Sequence, residues 1–145
     1  MKNLTHFTLF LFILILTHAA HAASSFTVCR TDEGKREYLG NAAQVMAEES
    51  CDAILNATQK NHCLQSIHCG NKDIPAGQRV LVSCVVEADR LRYTDKNELF
   101  SDEAGVATLL DTKRAARNLA LVDQHGFDEI HFKSCQTSIE KISAN

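Results

Sequence analysis

The chain has 145 residues, of which 45% are hydrophobic and 23% charged, with one Pro and six Gly; this is the composition of a folded globular protein, not of a disordered or collagen-like one. Fifteen Lys and Arg against 18 Asp and Glu leave a formal charge of -3, which offers no general electrostatic attraction to nucleic acid or to an acidic membrane.

Lys2 precedes an apolar run over 7–16 and the small residues Ala20 and Ala22, the three-part pattern of a secretory signal peptide with cleavage after Ala22. The run is about half the ~20 apolar residues a membrane span needs, so no stable anchor is expected after cleavage. Residues 1–22 are read as the signal peptide and 23–145 as a single disulfide-stabilised α+β domain, exported to the periplasm or the extracellular medium. All six cysteines (Cys29, Cys51, Cys63, Cys69, Cys84 and Cys135) follow the cleavage point. An even count behind an export signal predicts three disulfides, with local closure favoured among Cys51, Cys63 and Cys69 and the pairing otherwise open.

Residues 25–29 (SFTVC) read as a first strand ending at the polar cluster that follows. Leu39, Ala43, Met46, Ala47, Cys51, Ile54, Leu55 and Thr58 recur at helical steps and predict one helix, with Gly40 as its weak point and Asn41 as its cap. Residues 64–69 suggest a weak strand, and 70–77 are dense in turn formers, predicting a reversal. The run over 79–93 opens with β-branched residues and predicts a central strand, after which 94–103 read as a polar, acidic stretch. Ser101, Asp102 and Glu103 supply a helix start. Leu109, Thr112, Ala115, Ala116, Leu119 and Val122 mark the inner face of the second helix, with His125-Gly126 as its stop. A last strand over 127–135 sets Ile130 and Phe132 on one face. The order strand, helix, strand, strand, helix, strand predicts a ferredoxin-like βαββαβ antiparallel sheet with both helices on one face. Ala42-Ala-Gln-Val-Met-Ala and Ala115-Ala-Arg-Asn-Leu-Ala echo each other, a likeness of helix patterning more than a repeat.

His62-Cys63 and His68-Cys69 bring four nitrogen and sulfur donors into one short segment, yet adjacent side chains diverge and the pairs are too close for a finger, so disulfide cysteines beside incidental histidines are expected. A metal site, or a thiol activated by His62 or His68, needs free thiolates. Residues 95–100 resemble the start of a calcium loop but place Phe100 where the sharp turn needs Gly. Lys113, Arg114 and Arg117 share one helix face and suit an anionic partner, with Arg90 and Arg92 as an extension; few aromatics accompany them, so no nucleic acid is expected. Asn56-Ala-Thr58 fits a glycosylation sequon within the helical pattern. No nucleotide loop, nucleophile elbow, zincin motif or Cys-x-x-Cys occurs in the chain, and no cofactor is expected.

The leading expectation is therefore a small exported binding or accessory protein with a protein or small-molecule partner and no catalytic activity of its own. The alternative is a small secreted hydrolase using His125 or His131 with a carboxylate. A hollow holding one of those histidines beside Asp or Glu favours the hydrolase; an open face without such a group favours binding.

Overall fold

In the computed structural model, residues 23–32, 36–123 and 125–143 are described; the signal-peptide reading lies outside them. Phe26 and Val28 alternate with polar neighbours and bury their side chains in β1 (Ser24–Arg30), the central strand of a three-stranded sheet. β2 (Glu37–Leu39) and β3 (His68–Ile74) flank it, both antiparallel. Between them run two helices, α1 (Ala43–Asp52) and α2 (Ala57–Ser66).

The second half follows the same path at greater length. β4 (Gln78–Ala88) is central, β5 (Leu91–Leu99) and β6 (His131–Lys141) pair with it antiparallel, and α3 (Gly105–Val122) connects β5 to β6. The fold is α+β, with six strands in two sheets and three helices among the described residues, where the sequence predicted four strands in one ferredoxin-like sheet and two helices.

Each departure has a local cause. Gly40 adopts a φ of +93°, so Leu39 ends a strand and the helix starts only at Ala43. Ala53 to Asn56 interrupt the helical pattern, and the Asn56 side chain accepts from the amide of Gln59 at 3.0 Å to start α2. Residues Leu64 to Ser66 thus finish a helix, and the reversal shrinks to Pro75–Gly77 because Gly70 to Ile74 pair with β1. The predicted strand over 79–93 is a hairpin: Asp89 and Arg90 have φ of 48° and 67°, the two positive values of a type I′ turn. Residues 94–99, including the calcium-like stretch up to Leu99, continue β5. At the end of α3, Gly126 has a φ of -64° and opens a short 3-10 turn over Phe127–Glu129, so it is no left-handed stop, and Leu119 and Val122 are exposed while Ala120 is buried.

The halves meet through side chains. Asn41 does not cap its own helix; its Oδ1 accepts from the Val106 amide at 2.9 Å and caps α3, while its Nδ2 donates to the Glu103 carbonyl. α3 comes so close that a Cβ at Gly105 would lie 2.5 Å from Asn41 Oδ1. Asp102, expected to serve the start of α3, instead accepts from the backbone amide and the hydroxyl of Thr27 in β1. The edge strands β2 and β6 are bridged by Thr137, whose hydroxyl accepts from the Leu39 amide and donates to the Glu37 carbonyl. Phe26, Val28, Leu39 and Met46 from one half join Val80, Val82, Leu99 and Leu109 from the other in one continuous core.

Three disulfides close the chain: Cys29–Cys69, Cys51–Cys63 and Cys84–Cys135. The first and third are equivalent, each joining directly paired residues of a central strand and the last strand of its half.

Candidate functional site

α3 packs chiefly on β4 and β5 and only slightly on β6, so the inner face of the sheet is thinly covered where β6 begins. Phe132 is left 42% exposed there, beside the nearly buried Val86 and Ile130, and a groove results. Val86, Ile130 and Phe132 form its floor and Leu110, Lys113 and Arg117 stand along its helical wall, around a volume of about 490 Å³.

A β-bulge creates the floor. Cys135 pairs with Cys84 and Ser134 with Val85, but Phe132 pairs with Val86, so Lys133 is the extra residue. One inserted residue reverses the side-chain alternation. It turns Phe132 to the groove beside Ile130, as their predicted common face requires, and leaves Lys133 to meet Glu87 at 3.2 Å.

The wall is cationic. Lys113 reaches Glu49 of α1 at 2.5 Å and lies 4.4 Å from the Phe132 ring centre; one turn later, Arg117 stacks at 3.5 Å over Phe127. Arg114 pairs with Asp111 at 3.3 Å on an exposed surface. The predicted basic face thus exists, but without its extension: Arg92 faces Glu87 on the opposite side of the sheet, and Arg90 sits in the hairpin turn. Leu110, Phe127 and Phe132 are all exposed, at 54%, 58% and 42%.

A second, more polar hollow of about 560 Å³ holds His125 and His131 near Glu87, Asp89, Asp128 and Glu129. The two histidines are therefore brought together with carboxylates, the arrangement the hydrolase alternative asks for. Their bonding is specific. Tyr93, on the inner face of β5, donates its hydroxyl to Asp123 at 2.5 Å, and its oxygen lies 2.8 Å from His125 Nε2. The hydrogen bond to Asp123 is the main reason the phenol is pushed up to about 12, so it stays protonated near neutral pH. Glu129 accepts from the Gly126 amide, and Glu87 meets Lys133 and Arg92.

The His-Cys pairs are split apart. His62 and Cys63 lie in α2 and His68 and Cys69 in β3, and their sulfurs belong to different disulfides, so neither offers a thiolate. Among the described residues no group of three or more His, Cys, Asp or Glu is arranged to hold a metal ion, and no helix is long and apolar enough to cross a membrane. Asn56 of the sequon is an exposed helix cap. Sequence reasoning gave no site role to Tyr93, Asp123 and Phe127, which come from segments distant in the chain and carry no local signal for their contacts.

No family model matches the chain, and neither a curated protein nor a solved structure is similar enough to match.

Proposed function

We propose that the chain is an exported, single-domain binding protein, stabilised by its disulfides, whose binding site is the groove beside α3. The observation that carries this reading is the groove between α3 and the start of β6. Exposed Leu110 and Phe132 face each other there beside a cationic helix face, and exposed apolar surface in a concave site of this kind marks interaction sites. Disulfides suit an oxidising compartment, which supports export.

The hollow with His125 and His131 favours the second reading, a hydrolase. Against it stands the engagement of His125 Nε2 with a protonated phenol, where a base would need a nucleophile or a water. One experiment separates the two. The protein is titrated with a mixed library of apolar, anionic and cationic fragments under two-dimensional NMR and assayed on generic ester, phosphate and glycoside substrates. The binding reading expects shifts centred on Leu110, Arg117 and Phe132 and no turnover. Turnover that disappears in both His125→Ala and Tyr93→Phe would replace it with the hydrolase.

A further inference from the structure

We infer that the groove takes a single-chain aliphatic carboxylate, its tail on the Val86, Ile130 and Phe132 floor and its head group on Arg117; this inference rests on the groove being the binding site. The charges along the wall select the head group. Lys113 is neutralised by Glu49 and Arg114 by Asp111, whereas Arg117 has no carboxylate partner among the described residues. Its Cζ lies 3.5 Å from the Phe127 ring centre, a contact that uses the face of the guanidinium and none of its N–H groups. A stacked guanidinium keeps its planar fork for two parallel hydrogen bonds, and a carboxylate is the singly charged group that matches it.

The floor selects the tail. Its side chains are aliphatic and aromatic, and the groove volume of about 490 Å³ lies in the range of small-molecule sites. Lys113 and Arg117 are one helical turn apart, about 6 Å, so a chain anchored at Arg117 can run along the floor toward Phe132, where Lys113 stands. A neutral apolar ligand would leave Arg117 facing an apolar tail with no partner. A cationic one would meet the wall head-on.

The test uses decanoate, decanol and decylamine below their micelle concentrations, titrated by calorimetry into the disulfide-intact protein and into three variants, Arg117→Gln, Arg117→Lys and Phe132→Glu. Decanoate is expected to bind about tenfold more tightly than decanol, the size of one charge-assisted pair, and decylamine more weakly than either. Arg117→Gln removes that tenfold advantage by weakening decanoate without weakening decanol; Arg117→Lys keeps the charge without the fork and falls between. Phe132→Glu abolishes binding of decanoate and decanol. Equal binding of decanoate and decanol, or an advantage that survives Arg117→Gln, overturns the carboxylate inference while the groove stands. If no probe binds, or binding of decanoate and decanol survives Phe132→Glu, the groove reading fails and the inference with it.

Discussion

The two halves of the chain run the same course, a central first strand, its hairpin partner, helix, and a last strand on the other side, yet they are held by different means. In the first half the partner strand is three residues long, the helix is broken in two, and β3 is exposed along nearly its whole length. That half contains two of the three disulfides. In the second half the hairpin strands are eleven and nine residues long and an unbroken helix of 18 residues packs on them through Leu109, Thr112, Ala116 and Ala120. The first half still buries Phe26, Tyr38, Leu39, Met46 and Ile74 in the shared core, so its two bridges add closure to short or exposed elements and do not replace packing. The groove follows from the same contrast, because only a long sheet can extend beyond the helix that covers it.

The largest expected effects come from removing the disulfides one at a time, as paired Cys→Ala changes. Their closures span 51, 40 and 12 residues for Cys84–Cys135, Cys29–Cys69 and Cys51–Cys63. Loop-closure entropy assigns them about 4, 4 and 3 kcal/mol. Burial separates the first two: Cys84 and Cys135 are both inside, while Cys69 is exposed at the sheet edge. Urea midpoints should therefore fall most for the second-half bridge and least for Cys51–Cys63. Amide exchange in β3 should rise most when Cys29–Cys69 is lost. If Cys51–Cys63 proves the costliest, the first half depends on its helical pair more than on its sheet, and the contrast drawn above is misplaced.

Next in size is a residue of the first half that serves the second. Asn41→Ala should cost about 1 kcal/mol, the usual loss for a helix cap. The location of the loss is the sharper readout. Exchange at the Val106 amide should accelerate, since that group loses its acceptor, while amides inside α1 such as Met46 stay protected. Faster exchange at Met46 alone would return Asn41 to its own helix.

Asn41 also shows where sequence reasoning stops. Local chemistry placed the strand at Cys29, the core face through Met46 and Cys51, the basic face of α3 and the pairing of Ile130 with Phe132, because each depends on periodicity or on neighbours a few residues away. It misread the hairpin at Asp89-Arg90, since neither residue advertises a positive φ as Asn-Gly would. Asn41, Asp102 and Thr137 were beyond it for another reason. Each has ordinary local uses, and its partners lie 62 to 100 positions away, as Glu103, Thr27 and Glu37 do. The candidate site divides in the same way: its cations were visible as a helix face, whereas its floor depended on a bulge at Lys133 that nothing in the local pattern announces.

The smallest expected effects are electrostatic, and they set the halves against each other in pH. In the first half, hydrogen bonds from Lys72, and then Arg30, hold the Glu37 carboxyl below its ordinary 4.5 against the opposing effect of burial. A carboxyl with a depressed value stabilises the fold fully above 4.5 and loses that contribution as pH falls through its lowered value. In the second half, Tyr93 is raised from 10.0 to about 12 by Asp123, so its contribution is complete below 10 and fades as pH climbs toward 12. Urea midpoints of the wild type and two variants across the full range should diverge in opposite directions. Glu37→Gln should be less stable than wild type at neutral pH and converge with it in acid, whereas Tyr93→Phe should converge with wild type only in strong alkali. A Tyr93→Phe variant that already matches the wild type at pH 7 would mean that the phenol's bonds to Asp123 and His125 contribute nothing to holding the loop after α3, and that Phe127 is kept in place by its stacking on Arg117 instead.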